Sequence, residues 1–152
     1  MKLLVSGATG LVGSALLPFL AESGHSAARL VRRPPEPGSD DVFWDPAGGV
    51  LDGSALELFD ACVHLSGENI AEGKWDAEKK RRIRDSRVAS TELLSGRLAA
   101  LPARPRTLVC ASAIGYYGNR GDEVLTEASR SGNDFLASVC RDWEAATAPA
   151  RV

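Results

Sequence analysis

Apolar runs of strand length alternate with segments of helical period along this chain. Lys2 to Ser6 and residues 27–31 are two such runs, each short enough for a strand. Between them Leu11, Val12, Ala15, Leu16, Phe19 and Leu20 recur at helical spacing and predict a helix with one apolar face. Gly24 stands where a left-handed residue would close that helix, and Pro18, lacking an N–H, should kink it or weaken its middle. Residues 33–41 are rich in proline, glycine and acid and predict a loop. A short strand over 42–44 follows, ended by Asp45-Pro46, then a helical turn over 56–59 and a strand over 61–65.

The second half repeats the alternation with longer pieces. Asp76 is placed to cap a helix over 77–101, charged at first and then carrying Leu93, Leu94, Leu98 and Leu101, with Pro102 beyond its end. Residues 107–111 predict a fifth strand, and 112–133 a long glycine-bearing loop of the kind that usually serves a function. A helix over 134–148 puts Leu136, Val139, Cys140, Trp143 and Thr147 on one stripe, to be laid against the sheet. Arg151-Val152 would begin a sixth strand. Strands alternating with helices predict a doubly wound parallel α/β sheet, and here the sheet is expected to stop before its last strands.

The strongest chemical signal is Gly7-Ala8-Thr9-Gly10-Leu11-Val12-Gly13, set between the first strand and the first helix. Gly7 permits a tight turn, Gly10 allows backbone to approach a pyrophosphate, and Gly13 allows close helix–strand packing. Exposed amides at the positive end of the helix then face the phosphates. The Gly-x-x-Gly-x-x-Gly spacing differs from Gly-x-Gly-x-x-Gly, so its position carries more weight than the pattern. Where an acidic residue would bind the ribose hydroxyls of NAD, the second strand ends in Arg32 and Arg33, which suit a 2′-phosphate and hence NADP(H).

These residues, together with Trp44-Asp45, His64-Leu65-Ser66-Gly67-Glu68-Asn69-Ile70, Lys74-Trp75, Ser86-Arg87, Gly115-Tyr116-Tyr117-Gly118 and Trp143-Glu144, resemble the extended short-chain dehydrogenase/reductase superfamily. The nearer resemblance is to its nucleoside-diphosphate-sugar epimerase-like, or SulA-like, group. It implies a Rossmann-type domain over 1–152 matching only the N-terminal half of such proteins, with the substrate half absent. It also implies that Gly7, Thr9, Gly10, Leu11, Val12 and Gly13 line the pyrophosphate, that Arg32, with Arg33, meets the adenosine phosphate, and that Leu65, Ser66 and Gly67 form the adenosine side. Arg87 is carried over to the cofactor more weakly, and Trp44 is expected near the adenine.

Family enzymes use Ser, Tyr and Lys, the lysine lowering the tyrosine pKa so that the phenol exchanges a proton as hydride moves. This chain departs from that pattern, with Phe135 and Val139 at the Tyr-x-x-x-Lys positions and no lysine after Lys80. Ser112 is a candidate for holding a substrate carbonyl, with Ala113 competing for the same place, and Tyr116 or Tyr117 are candidate proton donors. Two readings stay open: an NADP(H)-dependent oxidoreductase or epimerase-like enzyme acting on a small molecule, a nucleotide-sugar or a carbonyl, and a non-catalytic NADP(H)-binding or redox-sensing protein.

Composition narrows the alternatives. With 44% hydrophobic and 25% charged residues in 152, the chain has the balance of one soluble globular domain. The glycine loop follows the N-terminus too closely for a signal peptide, so a cytoplasmic protein off the membrane is expected. Cys62, Cys110 and Cys140 are odd in number and widely spaced, which predicts reduced structural thiols and no metal site. Net charge is −2, and the basic run 79–84 lies between Glu78 and Asp85, the look of a solvated helix face; no nucleic-acid partner is expected. Asp45, His64 and Ser112 or Ser66 could compose a hydrolase triad, but no Gly-x-Ser-x-Gly elbow is present. The long helix over 77–101 is a candidate dimer face by analogy with the family.

Overall fold

At the centre of the molecule lies Lys2–Ser6 (β1), whose apolar residues are needed on both sides: Leu3 and Val5 enter one core and Leu4 the other. The structure is a computed structural model that describes residues 1–151. The other strands are Ser26–Val31 (β2), Val42–Asp45 (β3), Val50–Leu51 (β4), Ala61–His64 (β5) and Thr107–Cys110 (β6). They form one sheet in the order β4-β3-β2-β1-β5-β6. All neighbours are parallel except β3 and β4, and Leu4 of β1 stands between Ala28 of β2 and Cys62 of β5.

The chain therefore winds outward from β1 through β2 and β3, then crosses to the other side for β5 and β6. This is the doubly wound Rossmann arrangement, and its switch point falls between β1 and β5, where ligands bind in such sheets. Helix Leu11–Glu22 (α1) covers one face, where Leu3, Val5, Ala8, Leu20 and Ala61 form a core with Leu16 and Leu17. Helix Val88–Ala99 (α3) covers the other, with Leu94 and Leu98 against Leu4, Leu30, Trp44, Leu56 and Cys62. Helix Phe135–Ala145 (α4) packs Trp143 and Ala146 on Val88 of α3 and on Cys110 and Ala111 at the end of β6.

Several expectations are corrected. The buried face of α1 is Gly13, Leu20 and the half-buried Leu16 and Leu17, whereas Leu11, Val12 and Phe19 are exposed. Hydrophobic spacing alone could not tell the two sides of so apolar a helix apart. Pro18 lies within α1 on an exposed position, and Gly24 takes the predicted left-handed conformation with φ +76°. The helix expected over 77–101 is two helices, Ala77–Asp85 (α2) and α3, interrupted at Ser86-Arg87, where both side chains turn to serve a loop described below.

Strand β4 was not expected: it returns after a turn in which Gly49 has φ +69° and pairs Val50 with Asp45. The last helix ends earlier than predicted and is followed by a 3-10 turn, Ala148–Ala150, that contains Pro149. The sixth strand expected at Arg151-Val152 falls partly outside the described residues, and Arg151 itself is not in a strand. Among the described residues no helix is long and apolar enough to cross a membrane.

Candidate functional site

The Gly7 loop leaves β1 at the switch point, and its glycines are required by contact as well as by conformation. Gly7 has φ +67°, and a Cβ there would lie 2.7 Å from the Leu65 carbonyl carbon and oxygen. The loop after β1 and the loop after β5 are thus backbone against backbone. Gly10 N–H donates to Gly7 O at 3.0 Å to close the turn, and a Cβ on Gly13 would stand 2.3 Å from Gly7 O. Gly10 caps α1 without any side-chain hydrogen bond, and no acid occupies the first turn. The first amides of a 12-residue helix are left open beside exposed Leu11 and Val12, a setting that favours an anion.

The second wall is Leu65-Ser66-Gly67-Glu68. Ser6 Oγ accepts hydrogen bonds from Leu65 N–H at 3.1 Å and Ser66 N–H at 3.3 Å. Ser86 Oγ accepts from Glu68 N–H at 2.9 Å, and Arg87 donates to the carbonyls of Glu68 and Ile83, each at 3.1 Å. A Cβ on Gly67 would meet the Arg87 guanidinium at 3.0 Å, so Arg87 lies flat behind that glycine, with its other side 5.3 Å from the Trp143 ring. Burial lowers the Arg87 pKa, and Arg87 makes no ion pair among the described residues. The Glu68 carboxyl is held below its usual range by its hydrogen bond to the buried Lys79 ammonium at 2.8 Å, with Arg82 adding to the effect.

Arg32 and Arg33 follow β2 and are exposed, and neither enters an ion pair among the described residues. Arg29, three residues before Arg32, is by contrast paired with Asp41. Trp44 does not reach the site: it is 2% exposed, sits in the core on the α3 side, and meets the His64 ring edge-on at 5.7 Å. Its expected place near an adenine is therefore corrected to core packing, since a side chain in the middle of β3 points into a layer rather than beyond the strand end.

His64 is wholly buried between two serines, with Ser6 Oγ 2.6 Å from Nδ1 and Ser90 Oγ 3.1 Å from Nε2, and burial pushes its pKa down to about 4. No carboxylate orients it, so it belongs to no hydrolase triad. Ser6 and Ser90 were not singled out from the sequence, and Ser86 only as part of the Ser86-Arg87 pair of the family resemblance, because a serine carries no signal of its role until the fold shows what it faces.

Around the long loop, Ser112 donates to Glu144 Oε1 at 2.5 Å, which turns its hydroxyl toward α4 and an open groove along β6 lined by Cys110, Glu144 and Thr147. Tyr116 and Tyr117 are half-buried and stack edge to face at 5.2 Å. Phe135, at the tyrosine position of the family pattern, packs its ring 6.0 Å from Trp75 with Lys80 at 5.5 Å, and Val139 is buried. Of the basic run only Lys79 is buried, paired with Glu68; Lys80, Arg81, Arg82 and Arg84 are exposed, with Arg82 meeting Glu68 and Glu78, Arg84 meeting Asp142 and Lys80 lying over Phe135. No cluster of His, Cys, Asp and Glu among the described residues could hold a metal ion.

Comparison with known proteins agrees with this geometry. Residues 3–137 match the sequence model of the NAD dependent epimerase/dehydratase family. An epimerase family protein of Mycobacterium bovis is 45% identical over 147 residues, covering 97% of this chain and 48% of the relative. The crystal structure of a nucleoside-diphosphate sugar epimerase from Corynebacterium glutamicum superposes with a TM-score of 0.82 at 44% identity, over 99% of this chain and 31% of that one. The human epimerase family protein SDR39U1, solved with NADPH, superposes with a TM-score of 0.82 at 30% identity, over 97% of this chain and 48% of that one. The chain spans about half the length of the curated relatives it matches. With the family model matched over residues 3–137 and the fold shared with these structures, the chain belongs to the NAD dependent epimerase/dehydratase family.

Proposed function

We propose that this chain binds NADP(H) at the β1/β5 switch point and forms the cofactor half of an oxidoreductase or epimerase-like enzyme acting on a small molecule, a nucleotide-sugar or another carbonyl compound. The observation that carries the reading is the uncapped start of α1 over the Gly7 loop, flanked by two arginines free of ion pairs at the end of β2. Gly7, Thr9, Gly10, Leu11, Val12 and Gly13 would hold the pyrophosphate, Arg32 and Arg33 the 2′-phosphate, and Leu65, Ser66 and Gly67, with Arg87 behind them, the adenosine side. The NADPH in the human relative's structure supports this choice of cofactor. A bound nicotinamide would supply hydride transfer, and the chain's part would be to bind it, orient it and exclude water.

The test is a thermal-shift titration with NADPH and NADH, repeated on Arg32→Ala, since a ligand that binds only the folded state raises its apparent stability. A larger shift with NADPH, reduced by the substitution, is the expected result; equal shifts unaffected by Arg32→Ala would sink the assignment of the 2′-phosphate.

A second reading, binding without catalysis, is favoured by one observation. Phe135 and Val139 offer no proton and no charge, and the Phe135 ring is packed against Trp75. It predicts cofactor stabilisation with no turnover, and no loss of function in Tyr116→Phe or Tyr117→Phe. Turnover that disappears in either variant would decide for the enzyme.

A further inference from the structure

The loop after β5 is held from beneath by hydrogen bonds that run through a buried Ser6-His64-Ser90 core and whose direction can be worked out donor by donor. Ser66 N–H points at Ser6 Oγ, and Leu65 N–H is shared between that Oγ at 3.1 Å and the Ser6 carbonyl at 3.3 Å, so the two amides occupy the lone pairs of the hydroxyl. The Ser6 hydroxyl must then spend its own proton on His64 Nδ1, 2.6 Å away. With Nδ1 accepting, the ring carries its proton on Nε2 and donates it to Ser90 Oγ at 3.1 Å. Ser90 passes its hydroxyl proton to the backbone carbonyl of Ser86 at 2.7 Å, with the Arg87 carbonyl at 3.1 Å, and so ties down the residue whose own Oγ accepts from Glu68 N–H at 2.9 Å and donates to the Ile83 carbonyl at 3.2 Å. The hydrogen bonds run from Leu65 across β1, β5 and α3 to the backbone of Ser86, whose side chain holds the same loop at Glu68. Ser6, His64 and Ser90 are each no more than 1% exposed, so water does not share in it.

We infer that His64, as a neutral ring protonated on Nε2, is a positioning residue for the dinucleotide: it sets Leu65, Ser66 and Gly67 against the Gly7 loop through Ser6 and through Ser90. This rests on the proposed placing of NADP(H) at those loops. The serines alone cannot make this connection, because among the described residues the ring is the group that reaches both Ser6 and Ser90. A ring protonated on both nitrogens would break it, since Ser6 Oγ already accepts two amides and its own proton would lose its acceptor. The groups facing the ring are Ser6 from β1, the edge of Trp44 from β3 and Ser90 from α3; Cys62 is on its own strand, with burial pushing that thiol up to about 12. None of these supplies a compensating negative charge near neutral pH.

The experiment combines NADPH titration, followed by cofactor fluorescence, with nitrogen NMR of the histidine rings. The wild-type ring is expected to show an acceptor Nδ1 and a protonated Nε2, and the Nδ1 resonance to move as NADPH saturates the site. His64→Leu should weaken NADPH about tenfold, the scale of one lost hydrogen bond in a buried network. His64→Asn, whose amide oxygen can still accept from Ser6, should recover most of that loss, and Ser90→Ala should weaken NADPH severalfold. Should His64→Leu fail to fold, His64→Asn and Ser90→Ala decide by the same criteria, Ser90→Ala having to bind more weakly than the wild type and His64→Asn close to it. The inference is overturned if the wild type binds NADPH while Ser90→Ala and His64→Leu bind within twofold of it, or if the ring is protonated on Nδ1. A wild type that binds no nicotinamide nucleotide would instead remove the functional reading beneath it.

Discussion

A neutral histidine with no exposed surface makes folding sensitive to acid in a defined window. Its ordinary value is 6.5 and its folded value about 4, so between these the unfolded chain takes up a proton that the folded one refuses. Stability from this group is complete above about pH 6.5 and is lost as pH falls toward 4, by up to ~3 kcal/mol. Denaturant unfolding of the wild type from pH 7 to 4 should show that slope, and His64→Asn, which cannot titrate there, should flatten it. The glycines separate in a different way. A side chain on Gly10 meets only Gly7 O at 3.3 Å, whereas one on Gly13 meets backbone at 2.3 and 2.7 Å. Gly10→Val is expected to keep the fold and lose the NADPH-induced thermal shift. Gly13→Ala should lower stability by ~3 kcal/mol by forcing α1 off the loop, and a Gly13→Ala protein with wild-type melting would contradict the close approach described here.

At the scale of elements, strand positions and helix starts were legible because they depend on neighbours in sequence. Asp76 and Asp134 cap α2 and α4 by accepting from Lys79 N–H and Ala137 N–H. Asp134→Ala should cost ~1 kcal/mol, readable as a shift in the denaturation midpoint. Leu94, 1% exposed in the core beneath the sheet, should cost ~2–5 kcal/mol as Leu94→Ala. The division of α2 from α3 was not legible. Periodicity runs through Ser86-Arg87 unbroken, and what interrupts the helix is the demand of residues 67 and 68, some 18 positions earlier, for a hydroxyl and a guanidinium. The face of α1 was misread for a related reason: leucine, valine and phenylalanine surround the helix, and only the position of the sheet decides which of them are covered.

For the whole molecule, the basic run is mostly exposed but interleaved with acids, Lys79 and Arg82 meeting Glu68, Arg82 also Glu78, and Arg84 meeting Asp142. With a net charge of −2, the protein is expected to leave a phosphate matrix at low salt, and retention with a steep salt dependence would show a nucleic-acid surface. The alternation of strand and helix, the glycine turn and its place after the first strand were determined by the sequence alone, since backbone preference and hydrophobic period act over a few residues. The glycine-loop residues could be named on the same footing, whereas the absence of the tyrosine and lysine was read from the family resemblance. Tertiary structure decided the rest, because it depends on groups brought together from far apart: the strand order that opens the switch point, the burial of Trp44, the turning of Ser112 toward Glu144, and the circuit of Ser6, His64, Ser90 and Ser86. A serine or a histidine has no predictable role until its partners are in place, and here every partner but one arrives from another element of the fold.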